Sequence, residues 1–459
     1  MTIEYGSINS QEDPITESDR DMLMGDRPGY GSRSKIESAF NLVNSTVGSG
    51  IIGLPFAIYL AGFWTALVLS IIVSAISQLG LYMLVVSGKR SGTYKLATLM
   101  EHVIGRPGYH FLNFLVLVQA AGACVSYYIL LGDTIPVLLQ LYFPDHPNLT
   151  QRSLVIGCIS ILFVLPLNLS RSLGALAKWS ILSVLCLPVI IIALLWRAPT
   201  YSKSHESPLD WESPDLFGAL GILAFAFSCP HVCFSVYLSL KQQTVKAWNI
   251  TTTLASIMTW IVSIAFAVVG YLSFGVDVQP NLFLNFPSDD LIVNIARFAL
   301  GFSMILTIPM AFYPTREAVQ KLLGFEAADR HPTKIQHYTV TLILFIVITI
   351  LGITIRSLGK VYALIGGFAA TCLAYILPAI AYLITRQQSI APASYNNQSD
   401  DEVATVKAPL VPRQHSSSTT STASSSSYIP KFGLLDVAAV FTLVWGVVVM
   451  IFATSGAFK

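Results

Sequence analysis

Long apolar runs separated by short polar stretches dominate the chain. Eleven of these runs approach the roughly 20 residues a helix needs to cross a bilayer, with approximate limits 38–61, 63–86, 110–132, 153–170, 178–196, 216–238, 249–273, 291–313, 336–356, 361–384 and 432–455. They are numbered here as spans one to eleven. The pattern predicts an all-α polytopic membrane protein. Residues 1–35 are polar and acidic, read as a disordered tail and not as a signal peptide. Residues 387–430 include SSSTTSTASSSS and read as a disordered linker. The linker separates span eleven (431–459) from a ten-helix core at 36–386.

Ten spans invite a division into two halves of five, about 36–200 and 210–386. Two interruptions at matching places support it. Span one carries Gly48, Ser49 and Gly50 in its middle, followed by Gly53 and Pro55, and span six carries Ser228, Cys229, Pro230 and His231. Glycine costs helix entropy, and proline removes a backbone donor. An unwound backbone at membrane depth has to be buried in protein or line a wet cavity. Paired broken helices are therefore the sequence mark of a secondary transporter whose site lies at the bilayer midplane. A kinked packing helix is the plainer reading of span one taken alone.

Composition agrees with the membrane reading: 54% of residues are hydrophobic and 11% charged, and the net charge of +2 gives no basis for a nucleic-acid partner. With the N-terminus placed in the cytosol, twenty of the 27 Lys and Arg residues fall on cytosolic segments, and six (Arg152, Arg197, Lys203, Arg356, Lys360 and Lys459) fall on the other side. Arg297 lies inside span eight and is a candidate gate or anchor, because intramembrane charge is costly. The six cysteines lie inside spans and show no zinc spacing or loop disulfide pair. No nucleophile elbow, P-loop or metal cluster points to an enzyme or an ATP-driven pump. His205 and Asp210 form a His-x4-Asp pattern in a polar loop without supporting residues. The chain is read as neither an enzyme nor a cofactor carrier.

The stretch FNLVNSTVGSGIIGLPFA at residues 40–57 resembles the first-helix motif of the amino acid/auxin permease family. That family includes sodium-coupled neutral amino acid transporters and the vacuolar amino acid transporters of fungi. FAFSCPHVCFSVYLSL (225–240) is similar to its Phe-x-Cys-His segment, here with Pro230 between Cys229 and His231, and LTIPMAFYPTRE (306–317) to its eighth-helix ending. The resemblance implies a five-plus-five inverted repeat with one added helix, and ion-coupled amino acid transport by alternating access. An amino-acid-sensing receptor on the same fold is the alternative.

A zwitterionic substrate needs partners at both ends. Free N–H groups around Gly48, Ser49, Gly50 and Ile51 suit its carboxylate. Freed carbonyls from Phe225 to Ser228, with Asn44, suit its ammonium, and Phe225 and Phe227 are candidates to bound its side chain. Neither broken stretch contains Asp, Glu, Lys or Arg, which favours a neutral amino acid. The coupling ion is H+ or Na+. The resemblance places a Na+ site between the backbone near Asn44 and Val47 and the hydroxyls of Ser303 and Thr307, which share a helical face. For a proton, His231 is the best-placed titratable group. Asn148, in a polar loop, is the sequon open to glycosylation. Tyr5–Ile8 fits a tyrosine sorting signal, and the Ser-rich linker suits kinases, so adaptors and kinases are the expected cytosolic partners. The expected location is a vacuolar or lysosome-like membrane, with the plasma membrane as alternative and the C-terminus lumenal.

Overall fold

The computed structural model describes residues 29–169, 173–326, 332–390 and 433–456. Tyr5–Ile8 and the Ser-rich linker lie outside them. The described residues form helices without a named β-strand. Nine helices are long and apolar enough to span a membrane, and the bent pair Lys35–Thr46 and Ser49–Ala61 makes a tenth. The fourth predicted segment is a shorter apolar helix, Arg152–Asn168, so length alone does not establish eleven spans.

Span one starts on a capping box. Ser34 Oγ accepts from the Glu37 N–H at 3.2 Å, and Glu37 accepts from the Ser34 N–H at 2.7 Å. Spans two (Phe63–Ser91) and three (Arg106–Tyr142) follow, then spans four and five (Leu173–Arg197). Span six is made of Leu216–Ala226, a 3-10 turn at Pro230–Val232 and Cys233–Ser239. Spans seven (Val245–Phe274), eight (Leu291–Leu322), nine (Lys334–Thr354) and ten (Leu358–Gln388) complete the core, and span eleven is Leu434–Gly456.

Spans six and ten sit at the centre. Their most apolar windows are 72% and 83% buried, against 28% for span eleven. Small residues permit this arrangement, because van der Waals contact drives helix packing in lipid. A Cβ on Gly366 of span ten would lie 1.7 Å from the Gly221 carbonyl oxygen of span six.

Backbone contacts define two opposite faces. On one, the Trp64 N–H donates to Asp210 O at 3.2 Å, Asp215 N–H to Leu60 O at 2.9 Å, and Val276 N–H to Glu206 O at 3.1 Å. This loop face also carries the turn at Gly62, whose φ of +79 reserves it for glycine. On the other, the tail face, Arg33 forms a parallel bridge to Leu240 after span six. The Arg33 N–H donates to Ser239 O and the Lys241 N–H to Arg33 O, both at 2.9 Å. Within the stretch 1–35 expected to be disordered, Arg33 is held by this pairing, and Lys35 already begins a helix.

Span eleven docks on span ten through buried Asp436. Asp436 pairs with Arg386 at 2.8 Å and accepts from the Tyr382 hydroxyl at 3.1 Å. Asp436→Asn removes a charge-assisted bond worth about 1.5–3 kcal/mol. It should lower the melting temperature of the purified protein, which a fluorescence melting curve reads directly.

Candidate functional site

The two interruptions meet inside the bundle. The first half of span one ends at Thr46, and a 3-10 turn from Ser49 to Gly53 leads into Leu54–Ala61, with a 54° bend between the halves. In a 3-10 turn each N–H reaches back three residues. The Ile51 N–H does so, to Gly48 O at 3.3 Å. Ile51 is therefore not a free donor, and neither is Gly48, whose N–H donates to Thr46 O at 2.9 Å, contrary to the expectation for both, whereas the N–H groups of Ser49 and Gly50 precede the first 3-10 bond and have no acceptor within the turn. Span six stays straighter across its break. Leu216–Ala226 ends with carbonyls that lack intrahelical donors, and Pro230 stands where the donor to Ala226 O would be.

Gly50 is where the breaks touch. A Cβ there would lie 3.0 Å from Ala226 Cα and 3.3 Å from Phe225 Cδ1, whereas a Cβ on Gly48 would meet nothing within 4 Å. The packing and site readings of this stretch thus apply to different glycines: Gly50 is a packing contact, and Gly48 faces open space. Ser49 and Ser228, one at each break, are buried, and neither Oγ has a hydrogen-bond partner. Buried hydroxyls are normally satisfied, so two orphans at facing breaks ask for a guest. Phe225 stacks on Tyr362 with ring centroids 4.9 Å apart, and Phe227 is buried. Tyr362 donates to Ser49 O at 2.8 Å and so fixes the unwound turn. Sequence reasoning missed Tyr362, because one hydroxyl in an apolar span carries no distinguishing spacing.

Asn44 and His231 are exposed, and among the described residues neither side chain makes a hydrogen bond. They lie on the halves of spans one and six nearer the tail face. Ser303 and Thr307 do share a face, but they turn toward Ser183 of span five. Ser183 Oγ lies 2.7 Å from Ser303 Oγ and 2.6 Å from Thr307 Oγ1, and Thr307 donates to Ser303 O at 2.8 Å. Neither hydroxyl bonds to Val47. Arg297 is buried and donates to the carbonyls of Phe283, Phe286 and Pro287 and to Asn294 Oδ1 at 2.6–3.0 Å. It is an anchor for the loop before span eight. Asn281 of the same stretch donates to Asp133 of span three at 3.0 Å, and Asp133 pairs with Arg152. Asn148 is exposed.

Asp290 closes that loop, accepting from Arg197 Nε at 2.6 Å and from the Tyr201 hydroxyl at 2.8 Å. Burial pushes its carboxyl up, but the bonds from Tyr201, Arg197 and the Val293 N–H outweigh it and hold the group below the ordinary value. A depressed carboxylate stabilises the fold above its unfolded pKa, near 3.9, and loses that contribution as pH falls through the folded value. Amide exchange in residues 282–293, corrected for intrinsic rates, should therefore match at pH 7 and pH 5 and rise only below about pH 4.

A family profile described as "Transmembrane amino acid transporter protein" matches residues 31–400. The chain belongs to the transmembrane amino acid transporter family. It is accordingly a multi-pass membrane transporter and not an enzyme. "Putative sodium-coupled neutral amino acid transporter 11" of Bos taurus is 32% identical over 372 residues, covering 80% of this chain and 79% of the relative. "Vacuolar amino acid transporter 2" of Saccharomyces cerevisiae is 29% identical over 369 residues, covering 77% of each. A solved structure titled "Substrate-bound outward-open state of a Na+-coupled sialic acid symporter reveals a novel Na+-site" aligns with a TM-score of 0.48 at 13% identity, over 80% of this chain and 83% of that one.

Proposed function

We propose that this family member is a secondary active transporter that moves neutral amino acids by alternating access, coupled to H+ or Na+. The observation that carries the reading is the pair of partnerless buried hydroxyls, Ser49 and Ser228, at two helix breaks that abut through Gly50 and Ala226. The N–H groups of Ser49 and Gly50 take the substrate carboxylate, and the carbonyls ending at Ala226 take its ammonium. No charged side chain lies in either break, so a charged substrate side chain finds no partner there. Asn44 and His231 are polar groups at membrane depth, where exposure to hydrocarbon is costly. A water-filled vestibule running from the breaks to the tail face accounts for both.

The tail face is the cytosolic face by its basic residues, and the five-plus-five division with an appended span eleven follows from the paired breaks. Glycan at Asn148 that disappears in Asn148→Gln would fit this orientation; glycan at Asn397 would reverse it. The yeast relative's vacuolar name supports a vacuolar or lysosome-like membrane, and an exclusively cell-surface tagged protein would contradict that location. Thermal stabilisation of the purified protein across the twenty amino acids tests the substrate class. Neutral amino acids should raise the melting temperature saturably, and preferential stabilisation by lysine, arginine or glutamate would refute the neutral site.

A further inference from the structure

A cavity of about 20 Å³, with apolar and polar side chains in its wall, lies between spans one, two, six and seven. This volume suits a single water-sized guest. Its wall includes Ser74 and Gln78 of span two and Ser256 and Thr259 of span seven, and it contains no carboxylate. Ser74 and Thr259 are 8% and 3% exposed, and neither hydroxyl makes a hydrogen bond among the described residues. Ser256 likewise has none. The Gln78 amide nitrogen is committed to Thr253 at 2.5 Å, which leaves its carbonyl oxygen for the cavity. These neutral oxygens border the cavity without a protein partner and are open to an occupant.

Two helix ends decide its charge. Thr46 and Phe227 also line the cavity. Thr46 is the last residue of the first half of span one, and Phe227 caps the first half of span six. Thr46 O is taken by the Gly48 N–H at 2.9 Å and Val43 O by the Val47 N–H at 2.7 Å, but both half-helices end here and turn the negative ends of their dipoles toward the cavity. Such ends, together with oxygen ligands, favour a cation, and discontinuous helices use them in this way. The cluster around Ser303 differs, because its hydroxyls already satisfy one another through Ser183.

We propose that this cavity binds one dehydrated monovalent cation, Na+ in the first instance, through the Ser74, Ser256 and Thr259 hydroxyls and the Gln78 carbonyl oxygen. The site adjoins both breaks and is the coupling-ion site if the transport reading above is right; cation binding itself does not depend on that reading. The test is therefore binding, without an amino acid and without transport. The full chain in lipid nanodiscs is melted in NaCl and in N-methyl-D-glucamine chloride at equal ionic strength. Na+ should raise the melting temperature saturably. Thr259→Val and Ser74→Ala should each shift the half-saturating Na+ concentration upward by about tenfold or more, with melting in N-methyl-D-glucamine close to the parent's, which shows that the variants fold. No Na+-specific shift in the parent would mean that the cavity holds water and would overturn the proposal. A shift that survives both variants but is lost in Ser303→Ala would overturn it as well, by moving the ion to span eight.

Discussion

Gly50→Val should yield a folded, membrane-inserted protein with no measurable amino acid uptake. The Cβ position at Gly50 already lies 3.0 Å from Ala226 Cα, a backbone atom that has nowhere to go without moving span six. Valine adds two γ-methyl groups to that contact and also resists an irregular backbone. Overpacking of this kind costs about 1–3 kcal/mol, and here the strain falls on the junction of the two breaks. Gly50→Ala should be milder, with uptake reduced about tenfold, near 1.4 kcal/mol. Gly48→Ala is the contrasting case. Nothing lies within 4 Å of its Cβ, and its φ of −117 accepts alanine, so melting should be unchanged. Any loss in Gly48→Ala would then appear as weaker apparent substrate affinity, graded with substrate size. Uptake at parent levels in Gly50→Val, with insertion verified, would remove the junction from the mechanism.

Arg297→Ala should be the most destabilising single change among the charged residues discussed. The guanidinium is buried and gives its hydrogen bonds to three loop carbonyls and the Asn294 side chain. Truncation strands these acceptors, each at about 1–3 kcal/mol where water does not reach it. A loss on the order of 3 kcal/mol or more follows. It should be read as a large fall in melting temperature together with fast amide exchange across residues 282–290. Arg297→Lys should recover part of it, because an ammonium keeps the charge and three donors but not the planar fork. Exchange in that loop unchanged by Arg297→Ala would exclude the anchoring role.

The spans were legible because a bilayer admits few backbone solutions, and apolar runs of spanning length announce them. Both helix breaks were legible for the same reason: Gly48 to Gly50 and Pro230 are chemically poor helix formers at membrane depth. What touches what was not legible. Ser303 and Thr307 were rightly placed on one helical face, but the partner of that face is Ser183 of span five, 120 residues from Ser303 and outside anything their own spacing records. Arg297 was legible as costly, but its partners are carbonyls of a loop, which carry no residue-type signature. The polar stripes were present in the chain all along: Ser70, Ser74 and Ser77 in span two, and Thr252, Ser256 and Thr259 in span seven, recur at helical spacing within otherwise apolar runs. Membrane hydroxyls so often bond their own backbone, as Thr252 does to Trp248 O, that spacing alone does not separate the committed ones from the orphans.

The central claim is that the junction of the two broken helices carries a neutral amino acid across the membrane against a gradient. The most direct test is accumulation of a radiolabelled neutral amino acid in sealed proteoliposomes containing the full chain, with a Na+ gradient and a pH gradient imposed in turn. The account predicts saturable accumulation above the equilibrium level with at least one gradient, abolished by dissipating that gradient and absent with Gly50→Val. Saturable binding of the same amino acid without accumulation under either gradient would contradict it and would assign the junction to a sensor.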